Sequence, residues 1–215
     1  MLCLSQVSFP SLGTLDLTAN RLSAVWTEGA NWQMPLLDRL NLSKNRALTA
    51  LPEAGWAGMT RLRELNLSMC ALSKLPPVLA ELTALRLLDV SGNLLASAPA
   101  ELGELHALKD CDVSCNQLEC LPSAWAGMTQ LRRLNAENNR LTGLPREILD
   151  MHSLESIKIK GNPLTMKQLE GVDAYLQAQI LKSQCPSKAM YILLCHSYLL
   201  TLFLRMFVFS GDGAE

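Results

Sequence analysis

What this sequence lacks narrows its chemistry first. It carries 19 Lys plus Arg against 20 Asp plus Glu, a formal net charge of −1. A chain with no excess of either sign has no field with which to gather nucleic acid. Histidine is scarce: only His106, His152 and His196 occur in 215 residues. There is no Gly-rich phosphate loop, no G-x-S-x-G and no H-E-x-x-H. The seven cysteines (Cys3, Cys70, Cys111, Cys115, Cys120, Cys185 and Cys195) have no paired-ligand spacing for zinc. Odd in number and scattered, they fit free thiols in a reducing compartment. Residues 1–11 (MLCLSQVSFPS) lack the charged segment and the apolar run of a signal peptide. A catalytic centre, a cofactor and a metal are therefore not expected.

What is there is repetition. The stretch LKDCDVSCNQLECLPSAWAGMTQL, residues 108–131, holds one unit of the pattern L-x-x-L-x-L-x-x-N-x-L-x-x-L-P. Units start at Leu12, Leu37, Leu62, Leu85, Leu108, Leu131 and Leu154, with steps of 25, 25, 23, 23, 23 and 23. The second unit is long for visible reasons. Asn45-Arg46-Ala47-Leu48 has one residue more than Asn93-Leu94-Leu95, and Gly55 is inserted before Trp56. A fixed period of this length marks a stacked-repeat architecture.

Spacing assigns each part of a unit. Pairs such as Leu40 and Leu42, Leu65 and Leu67, and Leu88 and Val90 are two apart, so a strand turns both to one face. An Asn follows, at 20, 45, 93, 116, 139 and 162, suited to satisfy turn backbone groups; Cys70 stands there in the third unit. Leu75-Pro76, Leu121-Pro122 and Leu144-Pro145 then turn the chain. Apolar residues three apart follow, predicting a short helical or 3-10 segment on the outer side. One unit cannot bury its leucines alone, but stacked units bury a continuous core.

Units such as LRELNLSMCALSKLPPVLAEL and LRRLNAENNRLTGLPREILDM resemble leucine-rich repeats, in the intracellular Ras-group subclass with LPxxLxxL after the Asn. The resemblance implies an α/β solenoid, a curved right-handed arc with a parallel sheet on the concave face and short helical turns on the convex face. It also implies protein partners. The paired cysteines that flank extracellular members are missing here, and the sequons at Asn41 and Asn66 fall inside expected strands.

The expected organisation is a lead-in at 1–11, truncated or uncapped; seven repeats at 12–164; a capping helix at 165–184; and a hydrophobic tail at 185–215. Unit one departs from the pattern after Val25, with Trp26 and Trp32 expected on the convex side. Trp56 and Trp125 sit in matching WAGMT blocks 69 residues apart and are expected in the core. The capping segment places Leu169, Val172, Leu176 and Ile180 on one helical face, and its sequence is similar to the end of a small intracellular leucine-rich repeat protein. Residues 189–210 are interrupted only by His196 and Arg205. That run leaves three readings open: a tail anchor with the repeats in the cytosol, a helix packed on the solenoid, or a terminus outside the folded unit, such as a mistranslated exon.

The working surface is expected on the concave face, from the third, fifth and seventh residues of each unit. Arg63, Arg86, Lys109 and Arg132 form a basic rail in the second position. It flanks Glu64, Leu87, Asp89, Asp110, Asp112 and Arg133, with an acidic centre at Asp89, Asp110 and Asp112. Leu87 is apolar there without a core reason. The competing reading is that the D-L-S and N-L-S columns serve only the scaffold. The function expected is a non-catalytic, monomeric protein-interaction scaffold in the cytoplasm, binding another protein and no nucleic acid. The alternatives are a targeting segment of a larger enzyme or a tail-anchored adaptor.

Overall fold

The computed structural model describes residues 6–25 and 31–164. Trp26, the expected capping helix at 165–184 and the tail at 185–215 lie outside the described residues. The described chain runs β1 (Gln6–Ser8), β2 (Thr14–Asp16), β3 (Asn31–Gln33), β4 (Arg39–Asn41) and β5 (Glu64–Asn66). A 3-10 turn at Pro77–Glu81, β6 (Leu87–Asp89), a 3-10 turn at Ala100–Glu104 and β7 (Asp110–Asp112) come next. A 3-10 turn at Ser123–Gly127, β8 (Arg133–Asn135), α1 (Arg146–Leu149) and β9 (Ser156–Lys158) complete it.

Seven strands form one parallel sheet in the order β2-β4-β5-β6-β7-β8-β9. Each strand is the third to fifth residue of its unit. From β4 onward its middle residue turns inward: Leu40, Leu65, Leu88, Cys111, Leu134 and Ile157 are all buried. The residues on either side face out, as a period of two demands. Register advances one whole unit per strand, so equivalent residues stand in rows across the sheet. Leu87 lies beside Asp110 and then Arg133; Asp89 lies beside Asp112, then Asn135, then Lys158. The repeat leucines behind the sheet are buried along one continuous core, each contributing about 1.5–3 kcal/mol. In the first unit Leu12, Leu15, Leu17 and Leu22 are only partly buried.

The return halves differ from expectation in the first units. Four helical turns follow prolines that open the segment, Pro76, Pro99, Pro122 and Pro145, whose φ lies between −60° and −73°; Pro52, with Gly55 inserted after it, opens none. The ring fixes the entry angle, and the missing N–H is no loss at that point. Residues 6–8 and 31–33 have no Leu-Pro before them. They are strands, β1 and β3, and pair in parallel with each other. Trp32 therefore stands in a strand and not in a helical turn, in keeping with the strand preference of Val7 and Trp32. Residues 6–8, within the expected lead-in, thus belong to a paired strand.

The two WAGMT blocks both bury their tryptophans, at 0% and 1% exposure for Trp56 and Trp125. Their indole N–H groups go to different places. Trp125 lies in a 3-10 turn and reaches back to the Pro99 carbonyl of the preceding unit, at 3.0 Å. Beside Trp56 the inserted Gly55 takes φ +94°, no helical turn forms, and the indole bonds to Pro52 of its own unit at 3.0 Å. The turns around Trp125 are packed to backbone contact. A Cβ on Gly103 would stand 2.2 Å from the Ala124 carbonyl oxygen.

The Asn column is a ladder of buried amides joining neighbouring units. Asn116 donates to the carbonyls of Val113 in its own unit and Val90 in the preceding one, both at 3.0 Å, and accepts from the Leu95 N–H at 3.0 Å. Asn93, Asn139 and Asn162 repeat the arrangement. Cys70 keeps part of it: its Sγ lies 3.4 Å from the Leu42 carbonyl. A thiol offers no strong acceptor, so the N–H equivalent to that of Leu95 needs another partner. In the second unit this is the Leu48 N–H. The extra residue there lets it bond to the Asn45 carbonyl of its own turn, at 2.9 Å.

Just before this column each unit places one residue in the left-handed region. Ala19, Lys44, Met69, Cys115 and Asn138 take φ of 54° to 61°, and Gly92 and Gly161 take 65° and 75°. For a bulky residue such as Met69, 45% exposed, that conformation costs about 1–2 kcal/mol. Met69→Gly is expected to raise the unfolding free energy by about 0.5–1 kcal/mol. The relieved strain exceeds the roughly 0.5–1 kcal/mol that glycine adds to the freedom of the unfolded chain. Urea unfolding of variant and wild type measures it, and a lower midpoint would contradict the assignment of strain.

Candidate functional site on the concave sheet

The outward residues of β4 to β9 carry the polar groups, and the fifth row is tied to the scaffold. Asn41, Asn66, Asp89, Asp112 and Asn135 each accept, through Oδ1, the N–H two residues on, at 2.9–3.2 Å. This caps the short strand where its ladder ends. Ser68 and Ser114 add a hydroxyl bond to the same oxygens, at 2.7 and 2.6 Å. At Ser68 and Ser114 the seventh position therefore folds back toward the fifth; Ser43 and Ser114 are buried, whereas Lys160 in the last unit stands exposed as expected. In the first unit Asp16 makes the same turn with Thr18, whose hydroxyl and N–H hold its carboxyl below the usual carboxylate pKa.

The basic rail divides. Arg63 pairs with Asp38 at 3.1 Å and Arg132 with Glu155 at 3.4 Å, both exposed contacts. Glu64 is met by Arg39 of β4 at 3.3 Å. Such exposed pairs contribute between nothing and about 1 kcal/mol each. Arg86 and Lys109 have no ion pair among the described residues. Side by side on neighbouring units, they are the positive end of this face.

Across β6 to β9 the sheet holds a shallow cavity of about 340 Å³. Leu87, Asp89, Asp110, Asp112 and Arg133 line it, joined by Asn135, Ser156 and Lys158. Five of the ten residues expected on the partner surface thus meet at one place. Arg63, Glu64, Arg86, Lys109 and Arg132 lie outside its wall. Asn135, Ser156 and Lys158 stand in the same outward rows, and extending the register two strands beyond β7 would have found them.

Charge in the cavity is unevenly answered. Arg133 grips Asp110 with two nitrogens, Nε on Oδ1 and Nη2 on Oδ2, the second at 2.8 Å. Those bonds raise the guanidinium pKa further above its ordinary value. Asp112 spends Oδ1 on Ser114 and Oδ2 on the Asn135 amide at 2.8 Å, but meets no cation. Asp89 spends only Oδ1, on the Ser91 N–H. Its Oδ2 has no partner among the described residues. Below lies Cys111, whose thiol burial and then the charges of Asp112, Asp89 and Asp110 push far up. A protonated, buried thiol is a packing group and not a nucleophile.

His106 links turns of neighbouring units. The Nδ1 of His106 lies 2.8 Å from the Gly127 carbonyl of the next unit, and its Nε2 3.5 Å from Glu104. Among the described residues no three His, Cys, Asp or Glu side chains gather in a metal-binding group. No described helix is long and apolar enough to cross a membrane.

A solenoid of stacked units with one open polar sheet defines a leucine-rich repeat architecture. The family model described as "Leucine rich repeat" matches residues 10–72, 35–95 and 83–141, together more than half of the chain. The chain belongs to the leucine-rich repeat family. No curated protein matches it. Among solved structures it is similar to a leucine-rich repeat protein of Leptospira interrogans, at 25% identity and TM-score 0.55, over 80% of this chain and 48% of that one. It is also similar to the plant peptide hormone receptor RGFR1 in complex with RGF2, at 26% identity and TM-score 0.55, over 68% of this chain and 25% of that one. InlP of Listeria monocytogenes shares the fold at 24% identity and TM-score 0.53, over 72% and 44%. The chain spans half or less of the length of each of these structures.

Proposed function

We propose that this chain is a non-catalytic scaffold of the cytosol that holds a partner protein against its concave sheet, in signalling or in the regulation of an enzyme. One observation carries the reading. The outward face of the sheet has no covering element among the described residues, yet it holds a cavity with an apolar wall and charges left unanswered. Leucine-rich repeat folds are typically binding scaffolds, and one similar structure is a peptide hormone receptor in complex with RGF2. Cys70, Cys111, Cys115 and Cys120 are free thiols, which supports a reducing compartment.

Arg86→Glu with Lys109→Glu tests the surface. The partner is first identified by affinity capture with the wild-type chain. The double variant is then expected to bind it about tenfold more weakly, chiefly through slower association, with unfolding unchanged. Equal binding by variant and wild type would remove the concave face from the reading. Alkaline carbonate washing of membranes tests the compartment: full release of the whole chain into the soluble fraction is expected, and retention would favour the tail-anchored adaptor.

A further inference from the structure

We infer that the β6–β9 cavity receives a lysine or arginine side chain of the partner protein, its aliphatic stem along Leu87 and its cation at Asp89. This rests on the concave-face reading above and names what that face selects.

Carboxylates alone would not define a site; the cavity and Leu87 are independent of them. Leu87 is a half-buried leucine in a row otherwise polar or charged, beside Glu64 on one side and Asp110 on the other. It packs in no repeat column of the core. Leu87 and Asp89 are the two outward residues of β6, on one face of the same strand and on one wall of the cavity. An apolar surface with a carboxylate at its end matches a long basic side chain, which lays its methylenes on apolar ground and holds its charge at the tip.

The charges agree in sign and in place. Asp89 and Asp112 lie directly opposite on neighbouring strands. Like charges so placed repel, and neither has a cationic partner among the described residues. Asp110 is answered by Arg133. The remaining cation of the wall, Lys158, stands two strands beyond Asp112. At about 4.8 Å per strand that is three strand spacings from Asp89, beyond a Debye length of about 8 Å at physiological salt. The Oδ2 of Asp89 is thus an acceptor of the cavity wall left without a partner among the described residues. The position of Arg86 and Lys109 extends the match. They precede Asp89 and Asp112 by three residues, roughly 10 Å along the strand. A partner that presents a carboxylate about that far from its basic side chain answers both ends.

The test uses the full chain and a displayed library of random linear peptides. Selection on wild type is expected to enrich lysine or arginine at one fixed position. Chemically made winners should then bind at least tenfold more weakly to Asp89→Asn. Asparagine occupies this row at 41, 66 and 135 and makes the same bond to the N–H two residues on. The substitution therefore removes the charge and keeps the turn, and an unchanged unfolding midpoint verifies that. Leu87→Ser should weaken the same peptides. Winners without a basic residue, or basic winners indifferent to Asp89→Asn, would overturn the inference. Sensitivity of such winners to Arg86→Glu with Lys109→Glu separates the two failures. If it persists, the concave face stands and only the basic occupant falls; if it is absent too, both fall.

Discussion

Asn116→Ala is expected to cost about 1–3 kcal/mol of stability, the penalty for one buried N–H left without a partner. The amide is 8% exposed. Its removal strands the Leu95 N–H, while the Val90 and Val113 carbonyls each lose one of two amide donors and keep those of Asn93 and Asn139. Each buried polar group left unmade costs about 1–3 kcal/mol. Water reaches the outer rungs more easily, so Asn162→Ala, at a half-buried rung, is expected to cost about half as much. Asn116→Asp should be no gentler than alanine, because it keeps the acceptor for Leu95 but sets an oxygen against carbonyl oxygens. Thermal or urea unfolding measures the set. A loss under about 1 kcal/mol for Asn116→Ala would mean that the ladder is redundant with the strand bonds. Faster hydrogen exchange at the Leu95 N–H should accompany the loss.

Trp125→Ala is expected to destabilise by about 3–5 kcal/mol, the range for a large aromatic removed from a packed core. The indole is buried, and its Nε1 supplies the bond to Pro99 in the unit before. Losing it opens a cavity and leaves that carbonyl only the longer bond from the Leu102 N–H, at 3.4 Å. Trp125→Leu is expected to recover about half, because Leu79 and Leu102 fill the equivalent place in neighbouring units. Recovery should be incomplete for a geometric reason. Gly103 lets the turn at Ser123–Gly127 come in to backbone contact, and that approach is shaped for an indole. Calorimetric unfolding of the three proteins orders them. Leucine and alanine variants of equal stability would show that volume is irrelevant here and only the Pro99 bond counts.

The fold was legible because period, strand pairs and turn residues agree in most units. Seven leucine starts led to a seven-stranded parallel sheet in sequential order. The Asn column proved to be a hydrogen-bonded ladder because few other side chains offer donor and acceptor together. The return halves of the first two units differ for two reasons: the first has no proline to open a turn, and in the second the inserted Gly55 breaks the segment that follows Leu51-Pro52. The rows of the concave face were legible as rows. Which charges remain unanswered was not, because pairing depends on neighbours in the next unit. Arg133 reaching Asp110 and Arg63 reaching Asp38 are choices made across a gap of more than twenty residues. The cavity was equally invisible. A hollow arises from what several side chains leave empty, and no single residue announces it.

The thiol at Cys70 and the longer turn beside Leu48 have a consequence for anyone who would rearrange these modules. A copy of the third coil spliced after a standard 23-residue coil would leave that neighbour's amide hydrogen with nothing to meet. Spliced after the second, it would sit as it does now. The two irregularities are one feature shared between adjacent coils, so the exchangeable cassette here is the pair and not the single coil.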